Sequence, residues 1–499
     1  MVKMIFYQLY LLQLENYELR RYLKLLFKKG FLPPEKPLRK KLVWTIKARM
    51  IFVCSGLVHI ILSLAVFYHY TAGLSVFSIK YYVFSLLFFI VCIPFYFFFF
   101  ILCVILLWPA DYLFKSWLKA RARARIEKYP QIKIIGVAGS YGKTTIKEVL
   151  KAVLSARFKV ISTSESVNTP VGISRWILKK ITPEVDVAIV EMGEHYSGDI
   201  REICEIAPPD IAVITGVNEA HLERMKSMET VESTIFEAVS SAKPGALVIL
   251  NGDDARIRES YKKYAWPDHK ILEYRASNIH APNFNVNGMY WGFKIDESEE
   301  VKLHLLGEYA LGDADCAIKI GQSMGMSLVE IKHGMEKVRP VEHRLQPSVS
   351  PGNILVIDDA YNGNSAGAAE AIKVLSRFAD RRKIYITPGL VETGKAAKEV
   401  HVQIGRQLAG VADVVILIRN SVTGYIEEGI LSVIARNTSD EAISTSGRLP
   451  RPSDALRARN DKPEIIWFET AQEAHLSLSK ILKPNDVILF QNDWGDQYV

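Results

Sequence analysis

Between Lys133 and Leu154 the chain reads KIIGVAGSYGKTTIKEVLKAVL, an apolar run, a glycine-studded turn and a helix-period segment in direct succession. That order calls for a short buried strand (Lys133 to Ala138), a tight turn and a helix whose N-terminus faces the strand's end, which is α/β architecture. Glycines at 136, 139 and 142 precede Lys143-Thr144-Thr145, a GxxGxxGKT spacing. In such a phosphate-binding loop, backbone N–H groups and the helix N-terminus hold phosphates, Lys143 adds charge, and the Thr144 hydroxyl ligates magnesium. The general GxxxxGK[ST] form wants glycine at 137, where Val137 stands.

A second constraint lies upstream. Met50 to Tyr70 and Tyr81 to Ala110 contain no fixed charge. A helix needs about 20 residues to cross a bilayer core of about 30 Å, so each run is long enough. The second carries Pro94, and Tyr81, Tyr82 and Trp108 sit near its ends, where amphipathic rings favour the headgroup layer. Lys36, Arg39, Lys40, Lys41, Lys47 and Arg49 precede the first run; Lys115, Lys119, Arg121, Arg123 and Arg125 follow the second; the connection has only Lys80. The bias of positive charge predicts a transmembrane helical hairpin with both flanks in the cytoplasm. Residues 1 to 30 mix apolar and basic residues at helical spacing, which fits an amphipathic segment on the inner leaflet and fits a soluble helix equally well. Much of the net charge of +8 sits in these basic flanks, which points to a membrane and not to nucleic acid. The five cysteines, Cys54, Cys92, Cys103, Cys204 and Cys316, form no CxxC or metal-ligand spacing and read as small buried hydrophobes in a reducing compartment.

Downstream of the glycine turn, DVAIVEMG (186–193) is an apolar strand ending in Glu191, IAVITGVNEAHLE (211–223) ends a strand in a loop carrying His221, and LVILNGDD (247–254) supplies Asn251. Carboxylates at strand C-termini stand where an α/β sheet places its ligands. Taken singly, Glu191 reads better as a solvated strand end and His221 as a loop histidine; their order behind the glycine turn reverses that. Near Leu345 to Gly352 the composition turns to QPSVSPG, a hinge signal. Beyond it ILVIDD, KIYITPG, VVILIR, EIIWFET and DVILFQND alternate with helical stretches and predict a second, smaller doubly wound sheet. Residues 432 to 464 are polar and are expected to be a flexible insertion.

The ordered set GSYGKTTIKE, Ser166-Val-Asn168-Thr-Pro-Val-Gly172, EMG, EAHLE, LNGDD, Val341-Glu-His-Arg344-Leu, Asp359-Ala-Tyr361-Asn362-Gly-Asn364, TPGLVE and the terminal Asn492-Asp-Trp-Gly-Asp496-Gln-Tyr498 resembles the Mur ligases, and AYNGN, TPGLVE and the terminus resemble the MurF-type branch. The resemblance covers residues 131 to 499. It implies an α/β fold: an ATP-binding central domain with a phosphate loop (131–346) and a smaller Rossmann-like C-terminal domain (347–499). Ahead of them are expected a basic N-terminal segment (1–48), two transmembrane helices (49–110) and a basic linker helix (111–130). It also implies ATP and Mg2+, held at Gly139, Ser140, Tyr141, Gly142, Lys143, Thr144 and Thr145. Asn251, Arg344 and Asp359 would contact the nucleotide, Asp359 at the ribose. Thr144 and Glu191 would hold a first magnesium and His221 a second, with Lys143 and His221 catalytic. The implied activity joins D-alanyl-D-alanine to a UDP-muramoyl tripeptide, a small-molecule peptidoglycan precursor, through an acyl phosphate, with the membrane and other cell-wall enzymes as partners. Two other readings stay open: another Mur-like amide ligase acting on a membrane-linked or poly-amino-acid substrate, and a nucleotide-binding membrane scaffold that does not turn over.

The chain departs from the family's pattern at several positions. Ile235 stands where a carbamylated lysine would bind the second magnesium, with Glu237 retained nearby and Glu232 a further acid in reach. Asp313 replaces an asparagine that would face the adenine, and Ser365 replaces a proline. The membrane runs occupy the place of the first, UDP-gripping domain.

Overall fold

The computed structural model describes residues 2–15, 17, 19–30, 32–33, 42–71, 79–164, 167–194, 196–218, 225–295, 300–361, 363–390, 393, 396–444 and 462–491. The chain divides into two compact units, one ending at Trp117 and the other beginning at Leu118.

In the first unit, helices Val2–Leu14, Leu19–Lys29 and Ile46–Thr71 accompany a helix that runs Ile79–Glu127. Helices Val2–Leu14 and Leu19–Lys29 bury Leu9, Leu12, Tyr22 and Leu26 against Ile51, Phe100 and Val104. The Tyr22 hydroxyl donates to Gln8 Oε1 at 2.7 Å inside that cluster. Asp111 bridges Lys47 and Lys115 at 2.8 and 2.9 Å. Facing outward are Val53, Leu57, Ile60 and Leu64 on one long helix and Leu106, Trp108, Leu113 and Phe114 on the other. Among the described residues one stretch, Phe100–Glu127, is long and apolar enough to cross a membrane. The apolar run and the basic linker helix, expected as separate pieces, are one continuous helix, since residues 110 to 127 hold neither glycine nor proline to end it.

The second unit holds a wholly parallel sheet, a small antiparallel sheet and a second, mostly parallel sheet. In the first, β1 (Lys133–Ala138), β2 (Val160–Ser162), β3 (Val187–Glu191), β4 (Ile211–Ile214), β5 (Leu247–Asn251) and β6 (Lys270–Tyr274) lie in the order β2-β3-β1-β4-β5-β6. Every pairing is parallel. With both faces covered, β1, β3 and β4 are apolar almost throughout, as a buried parallel strand requires. One face packs on Ile146, Val149, Leu150 and Val153 of helix Lys143–Leu154. The opposite face takes Trp176, Ile177 and Ile203, with Ala122 and Ile126 from the end of the long helix. Strand order reverses at β1, flanked by β3 on one side and β4 on the other, and such a switch point opens a crevice at the strands' carboxyl ends.

An antiparallel sheet of β7 (His280–Asn285), β8 (Tyr290–Lys294) and β9 (Glu300–Leu303) follows. Its Phe284 and Trp291 rings lie under the Arg377 guanidinium, at 5.1 and 4.5 Å, which ties it to the last domain. That domain is a six-stranded sheet of β10 (Gln346–Ser350), β11 (Ile354–Asp359), β12 (Lys383–Thr387), β13 (Val414–Ile418), β14 (Glu464–Phe468) and β15 (Val487–Gln491), in the order β10-β11-β15-β12-β13-β14. The five predicted runs are its parallel strands.

Two expectations are corrected here. The QPSVS stretch is an antiparallel edge strand on β11 rather than a hinge; Pro347 fits because an edge position can do without the N–H it lacks. The polar stretch from Ser432 begins as helix, for Thr423–Ser444 is one helix. Ile426, Ile430 and Ile434, four residues apart, bind its inner face to the domain core. The rest of the expected insertion, up to residue 461, lies outside the described residues.

The phosphate-loop helix is held from behind by helices Tyr309–Ser323 and Leu328–Met335. At Gly334 the approach is backbone to backbone: a β-carbon there would fall 2.5 Å from both Val153 Cα and Val153 O. Gly334→Ala is therefore expected to force the two helices apart and cost about 1–3 kcal/mol of stability. Denaturant unfolding checks this, and an unchanged midpoint would contradict the close approach.

Candidate functional site

The turn after β1 is built by two left-handed glycines. Gly139 has φ +146° and Gly142, the N-cap of helix Lys143–Leu154, φ +77°. A β-carbon at Gly139 would lie 2.2 Å from Thr215 Oγ1, so only glycine lets the turn close against the end of β4. Ser140 N donates to Gly216 O at 2.8 Å and fixes the loop to that end. The buried Ser140 hydroxyl has no hydrogen-bond partner among the described residues, and the first amides of the helix have no side-chain cap. A left-handed glycine turn, open amides and an unpaired hydroxyl suit an anion with several oxygens.

Beside the turn lie two buried ion pairs. Lys143 Nζ meets both oxygens of Glu194 at 2.9 Å and also donates to the Gly139 carbonyl. Lys147 Nζ, wholly buried, donates to Glu191 Oε2 at 3.0 Å, and the Thr144 hydroxyl donates to the same oxygen at 3.2 Å. Of the residues the sequence singled out, the structure joins Thr144 to Glu191 directly, while Lys143 pairs with Glu194. The sequence did not single out Lys147 and Glu194, although Lys147 stands one helical turn beyond Lys143, the spacing that puts both on one face. Oxygen donors from Thr144 and Glu191 suit a hard divalent cation. Among the described residues no cluster of three or more His, Cys, Asp or Glu side chains arranged for a metal is found. His221 lies outside the described residues.

Around the corner from the turn is a cavity of about 410 Å³, bounded by both sheets. Tyr141 and Gly142 of the turn, Thr145 of its helix and Asn251 of β5 line it on one side, and Arg344 and Asp359 on the side of the second sheet. Asn251 Nδ2 donates to Thr215 O at 2.7 Å, which locks the ends of β4 and β5 together. Tyr141 donates its hydroxyl to Asp254 at 2.9 Å, and burial with that carboxylate raises the phenol's pKa, keeping it neutral. Asp359, at the end of β11, accepts from Leu345 N at 3.2 Å and Gln491 Nε2 at 3.1 Å. Burial nonetheless lifts its pKa to about 6, the Leu345 N–H and Arg344 opposing the rise. Arg344 sits between His343 and Leu345, both left-handed at φ +56° and +44°, and stacks its guanidinium 4.9 Å over Tyr361. The strained crossing aims Arg344 at the cavity.

Asp313 lines the same cavity from helix Tyr309–Ser323. Ile235 is fully buried in the first sheet's core and carries no donor atom. The two acids near it are committed elsewhere. Glu237 accepts from Gly198 N, Arg201 N and the Arg201 guanidinium, and Glu232 accepts from Tyr264 at 3.2 Å.

Residues 137–320 match the Mur ligase middle domain, and residues 343–491 match the Mur ligase glutamate ligase domain. This chain belongs to the Mur ligase family. Among curated relatives, the UDP-N-acetylmuramoyl-tripeptide–D-alanyl-D-alanine ligase of Escherichia coli is 27% identical over 298 residues, 58% of this chain and 63% of that one. The enzyme of the same name from Mycobacterium tuberculosis is 29% identical over 283 residues, 55% of each. The chain thus spans less than two thirds of the length of these Mur ligases. The MurF ligase of Thermotoga maritima, solved in complex with ADP, superposes with a TM-score of 0.63 at 23% identity, covering 77% of this chain and 81% of that one. The Mur ligase fold is therefore shared across both α/β domains.

The buried Lys147–Glu191 pair generates a prediction. Glu191→Leu leaves the Lys147 ammonium buried beside only the more distant Glu148, at 3.7 Å, and is expected to cost about 3 kcal/mol. Adding Lys147→Met should recover most of that loss. A double variant no more stable than the single one in denaturant titrations would mean that pairing is not what keeps Lys147 tolerable.

Proposed function

We propose that this chain is an ATP- and magnesium-dependent amide ligase of the MurF type, joining D-alanyl-D-alanine to a UDP-muramoyl tripeptide at the cytoplasmic face of a membrane. The observation that best supports this is the single cavity uniting Gly142, Thr145 and Asn251 on one side with Arg344 and Asp359 on the other. Gly139 to Thr145 hold the phosphates of ATP, Asn251 and Arg344 contact the nucleotide, and the Asp359 carboxylate accepts from ribose hydroxyls. Thr144 and Glu191 would hold magnesium, which neutralises charge on the transferring phosphoryl group. His221 remains the candidate ligand for a second ion, which Ile235 cannot help to bind.

The chemistry follows from that placement. A substrate carboxylate oxygen attacks the γ-phosphorus, the bond to the β–γ bridging oxygen breaks, and ADP leaves behind an acyl phosphate. The amine nitrogen then attacks the acyl carbon, the carbon–oxygen bond to phosphate breaks, and inorganic phosphate departs. The amine's surplus proton passes to solvent. Lys143, held by Glu194, exchanges that carboxylate for phosphate oxygens and stabilises the charge that builds on them. Closure of the last domain on the central one brings the amine in and excludes water.

A second reading is favoured by the N-terminal unit, whose long helices carry exposed apolar side chains: the donor or acceptor is membrane-linked. Both readings need turnover, whereas a scaffold with a degenerate site, which Ile235 and Asp313 favour, needs only binding. Full-length protein with ATP, Mg2+, UDP-muramoyl tripeptide and D-alanyl-D-alanine is expected to release ADP and yield the amide by mass, and Lys143→Ala to lower that rate by at least about 10²-fold while staying folded. ADP release only with lipid-linked substrates would support the second reading. Undiminished ligation in Lys143→Ala would remove the site.

The two uncharged runs and their basic flanks support a hairpin with both termini and both α/β domains cytoplasmic. The protein is expected to resist alkaline extraction from membranes, and protease added to intact cells should leave its last domain uncut. Cleavage of that domain would refute the orientation.

A further inference from the structure

Asp313 sits on the second turn of helix Tyr309–Ser323, in the wall of the cavity shared by Gly142 and Asp359. Its side chain is only 6% exposed, and Oδ2 has no hydrogen-bond partner among the described residues. Asp359 is different: it has two donors of its own and stands at the strand end assigned to the ribose. With the phosphates at the glycine turn and the ribose at Asp359, the buried side chain still offering an open valence to the cavity is Asp313.

The form in which it does so is set by its surroundings. An unpaired carboxylate in such a place costs several kcal/mol, while the neutral acid costs far less. Burial pushes its pKa well above the usual carboxylate range. Tyr274 on β6 and Tyr309 and Cys316 on its own helix face it, and burial raises the pKa of each, so all three are neutral. Asp315, two residues along, is engaged by Lys319 at 2.5 and 2.7 Å. Across the cavity, among the described residues of the lining, Arg344 is the one cation, against Asp253, Glu308, Asp359 and Glu370. Burial without a donor at Oδ2 therefore favours the protonated state.

We infer that Asp313 reads the nucleobase as a neutral carboxylic acid, donating through O–H and accepting through its carbonyl oxygen, and thereby selects a 6-aminopurine. This rests on the ATP reading above, in which position 313 is the one expected to face the adenine, and adds its protonation state and a pH dependence. Adenine presents an acceptor beside a donor, N7 with the 6-amino group, and the neutral acid complements that pair as an amide would. Guanine on the same edge presents two acceptors, O6 and N7, so its O6 meets the acid's carbonyl oxygen. An ionised Asp313 has acceptors only and loses the bond to adenine N7. Binding that requires the proton is at full strength below the free protein's Asp313 pKa and falls toward tenfold per pH unit above it. Asp359 titrates in the opposite sense, being needed ionised, so its limb lies at the acid end, near pH 6.

The test measures Mg-ATP and Mg-GTP binding by calorimetry on full-length protein in detergent, from pH 6.5 to 9.5, for wild type, Asp313→Asn and Asp313→Leu. Wild type is expected to prefer ATP by at least about tenfold and to weaken with rising pH. Asp313→Asn, nearly the same shape, should keep the preference without the alkaline loss, and Asp313→Leu should lose the preference. Superimposed profiles for wild type and Asp313→Asn, GTP bound as well as ATP, or GTP binding that strengthens with pH would each overturn the inference while leaving the nucleotide site standing. Failure of wild type to bind either nucleotide at any pH would overturn the ATP reading and this inference together.

Discussion

The steric contact between Gly139 and Thr215 is the constraint on which the site's layout rests. With a β-carbon 2.2 Å from Thr215 Oγ1 excluded, the chain leaving β1 can turn flat against the end of β4 and enter its helix at Gly142 with the helix amides facing the crevice. That crevice exists because β3 and β4 leave β1 on opposite sides. Thr215 in turn is tied through its carbonyl to Asn251, so the ends of three adjacent strands share one hydrogen-bonded rim. The second sheet reaches the same space from across the domain junction through Asp359 and the strained His343–Leu345 crossing.

Placing this much charge beside a buried sheet is costly unless each group is compensated, and the pairing is economical. Lys143 and Lys147, a helical turn apart, take Glu194 and Glu191, which stand at the end of the neighbouring β3 and just beyond it. Because Thr144 donates to the oxygen that also receives Lys147, the carboxylate of Glu191 is oriented from two directions. Such an arrangement contributes orientation more than stability, since a buried pair scarcely recovers its desolvation cost.

Much of this was legible in the sequence where burial is two-sided. Strands β1, β3, β4 and β5 and the five parallel strands of the last domain are uninterrupted apolar runs, and each was found. The polar strands at sheet edges carry no such signal. Gln346–Ser350 and the antiparallel His280–Asn285 have polar, exposed faces, and β10 contains proline, so composition read the first as a hinge and passed over the second. Helix Thr423–Ser444 was cut short because polar residues outnumber apolar ones after 432, although a single isoleucine per turn suffices to dock it. The glycine turn and its Lys-Thr-Thr were legible because strain and charge leave few alternatives. Lys147 and Glu194 were not, because a lysine in a helix and a glutamate in a loop are ordinarily solvated.

Asp313 and Asp359 carry the argument one step further, because they are the same side chain in the same cavity. Asp359 receives two protein donors and borders a cation, so burial lifts it only to about 6. Asp313 receives no donor at Oδ2, and burial acts on it unopposed. Hydrogen-bond supply, not depth, separates the two, as it does wherever neighbouring carboxyls take opposite roles. An asparagine at 313 would offer the same donor and acceptor at every pH. The aspartate offers them only while protonated, so the substitution leaves the shape of the pocket almost unchanged and converts a fixed contact into a titratable one.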